Sequence, residues 1–300
     1  MKLSHKYLNW YAQIIKSALI GVCSIFFAAP SSAFIPIIYE PNPQELKKTG
    51  ISIGKTAAQF IQLGKPKEAV RLASLAVSIQ PKDDRLWAIL AEAQIRTNNL
   101  EAASLSLATA KKLNPKKAGI WFAEASLALQ QKKSDKAADL LIKGLSLKPD
   151  NAIAYFQLGN ARIMQLKFQL ALNSFEKAIK LQPQFWEAQN NQAIVFFELR
   201  QKKNAIKAWQ NVLNIELNAE PMLALAAALN QLQPGNSKSL TLAKQALAKN
   251  PNYVSSKYQK EQLWGKELRN ATKQLISRPE LQSTVERARA KSDIKNDQAQ

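Results

Sequence analysis

The sequence predicts an all-α solenoid, about six helix pairs in series with a capping helix at the C-terminal end. Three observations predict it. Small residues recur on a fixed grid of 34, in three series: Ala57, Ala91, Ala125, Gly159, Ala193 and Ala227; Ala69, Ala103, Ala137, Ala171, Ala205 and Ser239; Ala76, Ala110, Gly144, Ala178, Val212 and Ala246. Proline closes the same unit at Pro81, Pro115, Pro149 and Pro183, is replaced once by Leu217, and returns at Pro251. The chain is 46% hydrophobic with only 9 glycines in 300 residues, a composition suited to helix throughout. Small residues at three places per period mean two helices pressed together at a distance that only Ala or Gly allows. A unit of that size cannot bury its own apolar face, so it must stack on its neighbours.

Residues 1–33 read as an export signal. Lys2, Lys6 and Lys16 make a basic start, Ser17 to Ala29 is apolar, and Ser31 and Ala33 are small residues where a signal peptidase reads. The apolar run is shorter than the roughly 20 residues that span a bilayer. The rival reading is an uncleaved anchor over residues 17–38, because Phe34-Ile35-Pro36-Ile37-Ile38 prolongs the apolar character. Residues 34–49, with Pro36, Pro41 and Pro43, are expected to be an extended lead-in.

Six units then occupy 50–83, 84–117, 118–151, 152–185, 186–219 and 220–253. Each carries an apolar-periodic helix, a polar turn marked by Gly64, Asn98-Asn99, Lys132-Lys133 or Pro234-Gly235, and a second helix running to the proline. Large residues keep register with the small ones. Trp87, Trp121 and Tyr155 hold the fourth position of their units, and Leu107, Leu141, Phe175 and Trp209 the twenty-fourth. A bulky side chain opposite an alanine fills a helix interface, so these aromatics are assigned to the core. Gln189 breaks the aromatic pattern, and units five and six are the least secure in register. The last unit leaves an apolar face without a neighbour. Residues 254–277 supply a capping helix through Val254, Tyr258, Leu263, Trp264, Leu268, Leu275 and Ile276. Residues 278–300 are polar and are assigned to a tail, either a marginal solvated helix or disordered.

Cys23 and His5 are the only residues of their kinds, and both precede residue 34. Without the signal, disulfides, thiol nucleophiles, imidazole bases and Cys/His metal sites are all excluded. No glycine-rich phosphate loop is present, and acidic residues pair with lysines along helix surfaces. No enzyme and no cofactor are expected. The net charge of +20 has two readings: a solvated rim that keeps the array soluble, or weak attraction to an anionic membrane surface or an acidic partner. The basic residues are scattered, which disfavours nucleic acid.

The grid and its residues resemble the tetratricopeptide repeat family over residues 50–253. The resemblance implies a right-handed α-solenoid whose first helices line a concave groove with their second, fifth, sixth, ninth, twelfth and thirteenth positions. Those positions include Arg85, Glu92 and Arg96 in unit two, Phe122 and Ser126 in unit three, and Phe156, Gln157 and Asn160 in unit four; unit five adds Asn190, Asn191, Phe197 and Glu198. The expected partner is an extended segment of another protein, not a small molecule. Asn160, Asn190 and Asn191 would face solvent and pair with its backbone, since a carboxamide both donates and accepts. Phe122 and Phe156 would give apolar contact, and Arg85 and Arg96 would draw a carboxylate. The competing reading has the asparagines merely tolerating a wet surface and the phenylalanines plugging gaps between units. The family's lysine-and-asparagine clamp for a C-terminal carboxylate is not reproduced, because the fifth positions Gly54, Ala88 and Phe122 include no lysine.

The implied function is a non-enzymatic, exported scaffold that assists assembly of a membrane or envelope complex. The FIPIIYEPNPQELKKTG lead also looks like certain cyanobacterial and plastid repeat proteins that help assemble photosynthetic complexes. Two other roles fit the same features: an anchored structural subunit of a stable envelope complex, and an accessory subunit of an enzyme such as a polysaccharide synthase.

Overall fold

The structure, a computed structural model, describes residues 42–297, with side chains described through residue 292. The export signal or anchor at 1–33 lies outside the described residues. Fifteen α-helices and no strand are found among the described residues.

Six antiparallel pairs make a right-handed solenoid: α1 (Pro43–Gln62) with α2 (Pro66–Ile79), α3 (Asp84–Arg96) with α4 (Leu100–Leu113), α5 (Ala118–Gln130) with α6 (Ser134–Leu147), α7 (Ala152–Met164) with α8 (Phe168–Leu181), α9 (Trp186–Glu198) with α10 (Lys202–Ile215), and α11 (Ala219–Leu232) with α12 (Ser237–Lys249). The extended lead-in expected over 34–49 is corrected from Pro43 onward, where α1 has already begun. Pro43 takes the first helical position, where a missing N–H costs nothing and the fixed φ favours the helix.

Every member of the three small-residue series is buried. Two of them show why. A Cβ on Gly144 would run into the Phe122 ring, and one on Gly159 into the Phe175 ring. The turn inside each unit also repeats. Gly64, Asn98, Lys132, Leu166 and Arg200, each 34 residues after the last, have φ between +58° and +69°. That left-handed residue reverses the chain from the first helix into the second.

Three units share another tie. The indole N–H of Trp87 donates to the Pro81 carbonyl at 2.8 Å, and that of Trp121 to Pro115 at 3.0 Å. Gln189 does the same with its amide, donating to the Pro183 carbonyl at 2.7 Å. The residue that breaks the aromatic pattern therefore keeps the hydrogen bond. In unit six the missing proline shortens the preceding turn, so α11 starts one residue ahead of the grid, at Ala219. The positive-φ glycine, Gly235, comes one residue behind it. The longer α11 absorbs the first change, and α12, which starts one residue late at Ser237 and is one residue shorter, absorbs the second; Ala227 and Ser239 remain buried on the grid.

The C-terminal region differs from a single capping helix plus a polar tail. A 3₁₀ turn at Pro251–Val254 leads to α13 (Ser256–Glu261) and α14 (Lys266–Ile276); a second 3₁₀ turn at Pro279–Leu281 leads to α15 (Gln282–Asp297). The expected tail thus belongs to the cap. Leu281, in the second 3₁₀ turn, and Val285 and Ala288, on α15, are buried, and α15 meets the first 3₁₀ turn and α12. The buried positions of α15 itself are Thr284, Val285, Ala288 and Ser292, so a search for large apolar side chains passes over it.

Candidate functional site

The first helices of neighbouring units approach one another more closely than the second helices do. The array therefore bends with α1, α3, α5, α7, α9 and α11 on its inner side, and that side is the candidate groove.

Over units two to four it is open. Arg85 is exposed and forms an ion pair with Asp83, whose carboxylate also accepts from the Arg85 backbone N–H at 3.0 Å. The Arg85 guanidinium holds the Asp83 carboxyl below its ordinary range. At the other end of α3, exposed Arg96 reaches Glu92, one turn back, at 3.1 Å. Across the next two units Gln157 donates to the Ser126 hydroxyl at 2.9 Å, which ties α7 to α5. Phe122 is half-buried against Gly144, and half-buried Phe156 lies 5.0 Å from the Phe185 ring and 6.1 Å from Phe175. Both phenylalanines pack within their own units and remain half-buried.

The asparagines require a correction. Asn190 and Asn191 are 1% and 9% exposed and do not face solvent. Asn191 donates to Asn160 at 2.8 Å, Asn190 donates to Asn191 at 3.3 Å, and Asn190 accepts from the Trp209 indole at 3.1 Å. The chain of amides satisfies itself, as buried polar groups must. Of the three, only Asn160, on α7, is half-buried rather than buried. A signal for this was present: units two to four have Leu107, Leu141 and Phe175 where unit five has Trp209, and a buried indole N–H needs an acceptor.

Over units five and six the groove is closed by the chain itself. Helix α14 packs on α11 and α9, both first helices. Trp264, 2% exposed, donates to Glu220 at 2.8 Å, and Tyr253 and Asn190 also hydrogen-bond that carboxyl. Glu198 accepts from the backbone N–H groups of Glu267 at 3.1 Å and Leu268 at 2.9 Å. It thereby caps α14, whose own N-cap, Gly265, has no side chain to do so. A Cβ on Gly265 would meet the Glu198 carboxyl group. Burial pushes the Glu198 and Glu220 carboxyls upward; hydrogen bonds to Leu268 and Glu267, and to Trp264, Tyr253 and Asn190, oppose it. Among the described residues no cluster of three or more His, Cys, Asp or Glu could hold a metal ion.

Family models of the tetratricopeptide repeat match residues 60–127 and 156–215. The chain carries tetratricopeptide repeats. Solved structures of such repeats superpose on it at low identity. Pseudomonas aeruginosa pilF is 18% identical, with a TM-score of 0.63 over 73% of this chain and 98% of that one. The APC/C hetero-tetramer Cut9-Hcn1 is 17% identical, with a TM-score of 0.63 over 78% and 45%. YrrB, described as a TPR protein with an unusual peptide-binding site, is 17% identical with a TM-score of 0.50 over 63% and 97%. No curated protein matches the chain. Tetratricopeptide repeats build protein-interaction scaffolds, and the open stretch of groove in this one lies over units two to four.

Proposed function

We propose that this tetratricopeptide repeat protein is a non-enzymatic scaffold that holds an extended segment of a partner protein on α3, α5 and α7. The observation that supports the reading is that α14 packs on the first helices of units five and six, while Arg85 and Arg96 are exposed and Phe122, Phe156 and Asn160 half-buried on the first helices of units two to four. Arg85 and Arg96 are exposed at either end of α3 and suit an acidic or C-terminal group, while the edges of Phe122 and Phe156 suit an apolar side chain. Asn190 and Asn191 contribute indirectly, by fixing the orientation of Asn160.

A photo-crosslinking amino acid placed at Glu92, Arg96 or Asn160 in the native host should capture the same partner protein. The same probe at Leu105, exposed on the outer helix α4, should not. Capture from Leu105 alone would place the interaction on the outer face and end the groove reading.

The basic start, short apolar run and small residues of the first 33 positions support export, and hence a role in assembling a membrane or envelope complex. No described helix is long and apolar enough to cross a membrane. Intact-mass measurement of the native protein should give a chain beginning at Phe34; a chain beginning at Met1 in washed membranes would favour the anchored subunit.

A further inference from the structure

From unit three to unit five the two edges of the solenoid differ in charge. In units three to five the turn inside each unit, with the start of the second helix, presents Lys132, Lys133, Lys136, Lys167, Lys202 and Lys203 against a single acid, Asp135. The turns at the other end, 148–154, 182–188 and 216–222, carry Lys148 against Asp150, Glu187 and Glu216, with the Glu220 carboxyl enclosed beneath α14. None of the six lysines forms an ion pair among the described residues. Asp135 is already engaged, accepting from the Gln165 amide at 2.9 Å.

The tips of these three turns are Lys132, Leu166 and Arg200, all in left-handed backbone and all exposed. Leu166 is 74% exposed and covers nothing in the fold. Leu63, 70% exposed beside Lys65 and Lys67, repeats the arrangement at unit one. The edge therefore combines a row of cations with single leucines projecting between them. Six of its cations are lysines, which act as hydrated point charges, whereas defined carboxylates are matched better by the planar fork of arginine. Unpaired lysines around isolated apolar tips on an outer edge fit a broad anionic surface into which the tips can dip.

We propose that this edge docks on an anionic lipid bilayer, leaving the groove free for a protein partner. The full chain should bind vesicles of phosphatidylcholine with 30% phosphatidylglycerol by flotation, and bind phosphatidylcholine alone far less. Replacing Lys132, Lys133, Lys202 and Lys203 with Gln should weaken binding to the anionic vesicles by about a hundredfold, since each cation near such a surface contributes on the order of tenfold or less. Replacing Lys82, Lys116, Lys148 and Lys249, exposed lysines outside this edge, makes the same change in net charge and should alter binding by less than about threefold. All other residues are shared, so any contribution from the rest of the chain cancels. Leu166→Gly should weaken binding by about tenfold without lowering the thermal midpoint, because glycine suits the backbone there. Equal losses from the two quadruple variants, no preference for anionic vesicles, or binding to polyglutamate but not to vesicles would each overturn the proposal.

Discussion

At the scale of single residues, the energetics turn on buried groups that can be satisfied in only one way. Glu220 shows it best: its carboxyl is enclosed by Trp264, Tyr253 and Asn190, and burial raises its affinity for a proton above the ordinary value of 4.5. Glu198 is raised in the same direction. Folding therefore takes up protons between pH 4.5 and the raised values. The stability these groups contribute is complete below 4.5 and is lost as the pH rises through the folded-state values. A Glu220→Gln variant keeps an acceptor for the Trp264 indole and has no charge to bury. It should melt above the parent at pH 8, and the advantage should shrink as the pH falls toward 4.5. Comparing the two melts at each pH cancels the general effect of a high net charge. An advantage independent of pH would mean that the carboxyl does not titrate in the folded state. Asn190 and Asn191 make the related point that a carboxamide at a groove position is not thereby a groove residue.

At the scale of elements, the paired helix is defined by how closely its members approach. Ala137 on α6 is fully buried against α5, and the same contact recurs at Ala103 and Ala171. Ala137→Leu should overpack it and destabilise the protein by about 1–3 kcal/mol, read as a lower denaturation midpoint. An unchanged midpoint would mean that the interface has room the burial does not show. This level was the most legible from sequence, because both partners in each contact lie within one unit and the pattern is written six times. Gln189 was illegible only in identity: the unit needs a donor to the Pro183 carbonyl, which Trp and Gln both supply. The helix α11 was legible in a way the repeat pattern hid. AEPMLALAAALNQL is apolar on every side, and a helix of that kind is covered on every side.

At the scale of the whole molecule, what covers α11 decides where a partner can bind. Helix α14 returns to the first helices of units five and six, so the groove ends at unit four. Removing residues 256–300 should uncover α11 while leaving distant units intact, since each unit of a solenoid packs chiefly on its neighbours. Hydrogen exchange should then speed up sharply in α11 and α12 and remain slow in α3 to α6. Uniform loss of protection would show a molecule that folds as a single cooperative block.

The sequence by itself determined the repeat, the pairing of helices within each unit, the placement of small residues at every close approach, and the need for a cap. All of these follow from local contacts, in which a 34-residue period states the same packing rule again and again. The tertiary structure alone decided how the cap is used. Glu198 meets the backbone of Leu268 across 70 positions of chain, and Trp264 meets Glu220 across 44. Contacts of that reach occur once and obey no period. Whether a polar residue on a first helix faces a partner, a neighbouring amide or the returning C-terminal helix depends on where the chain goes after the last repeat, and only the folded molecule fixes that path.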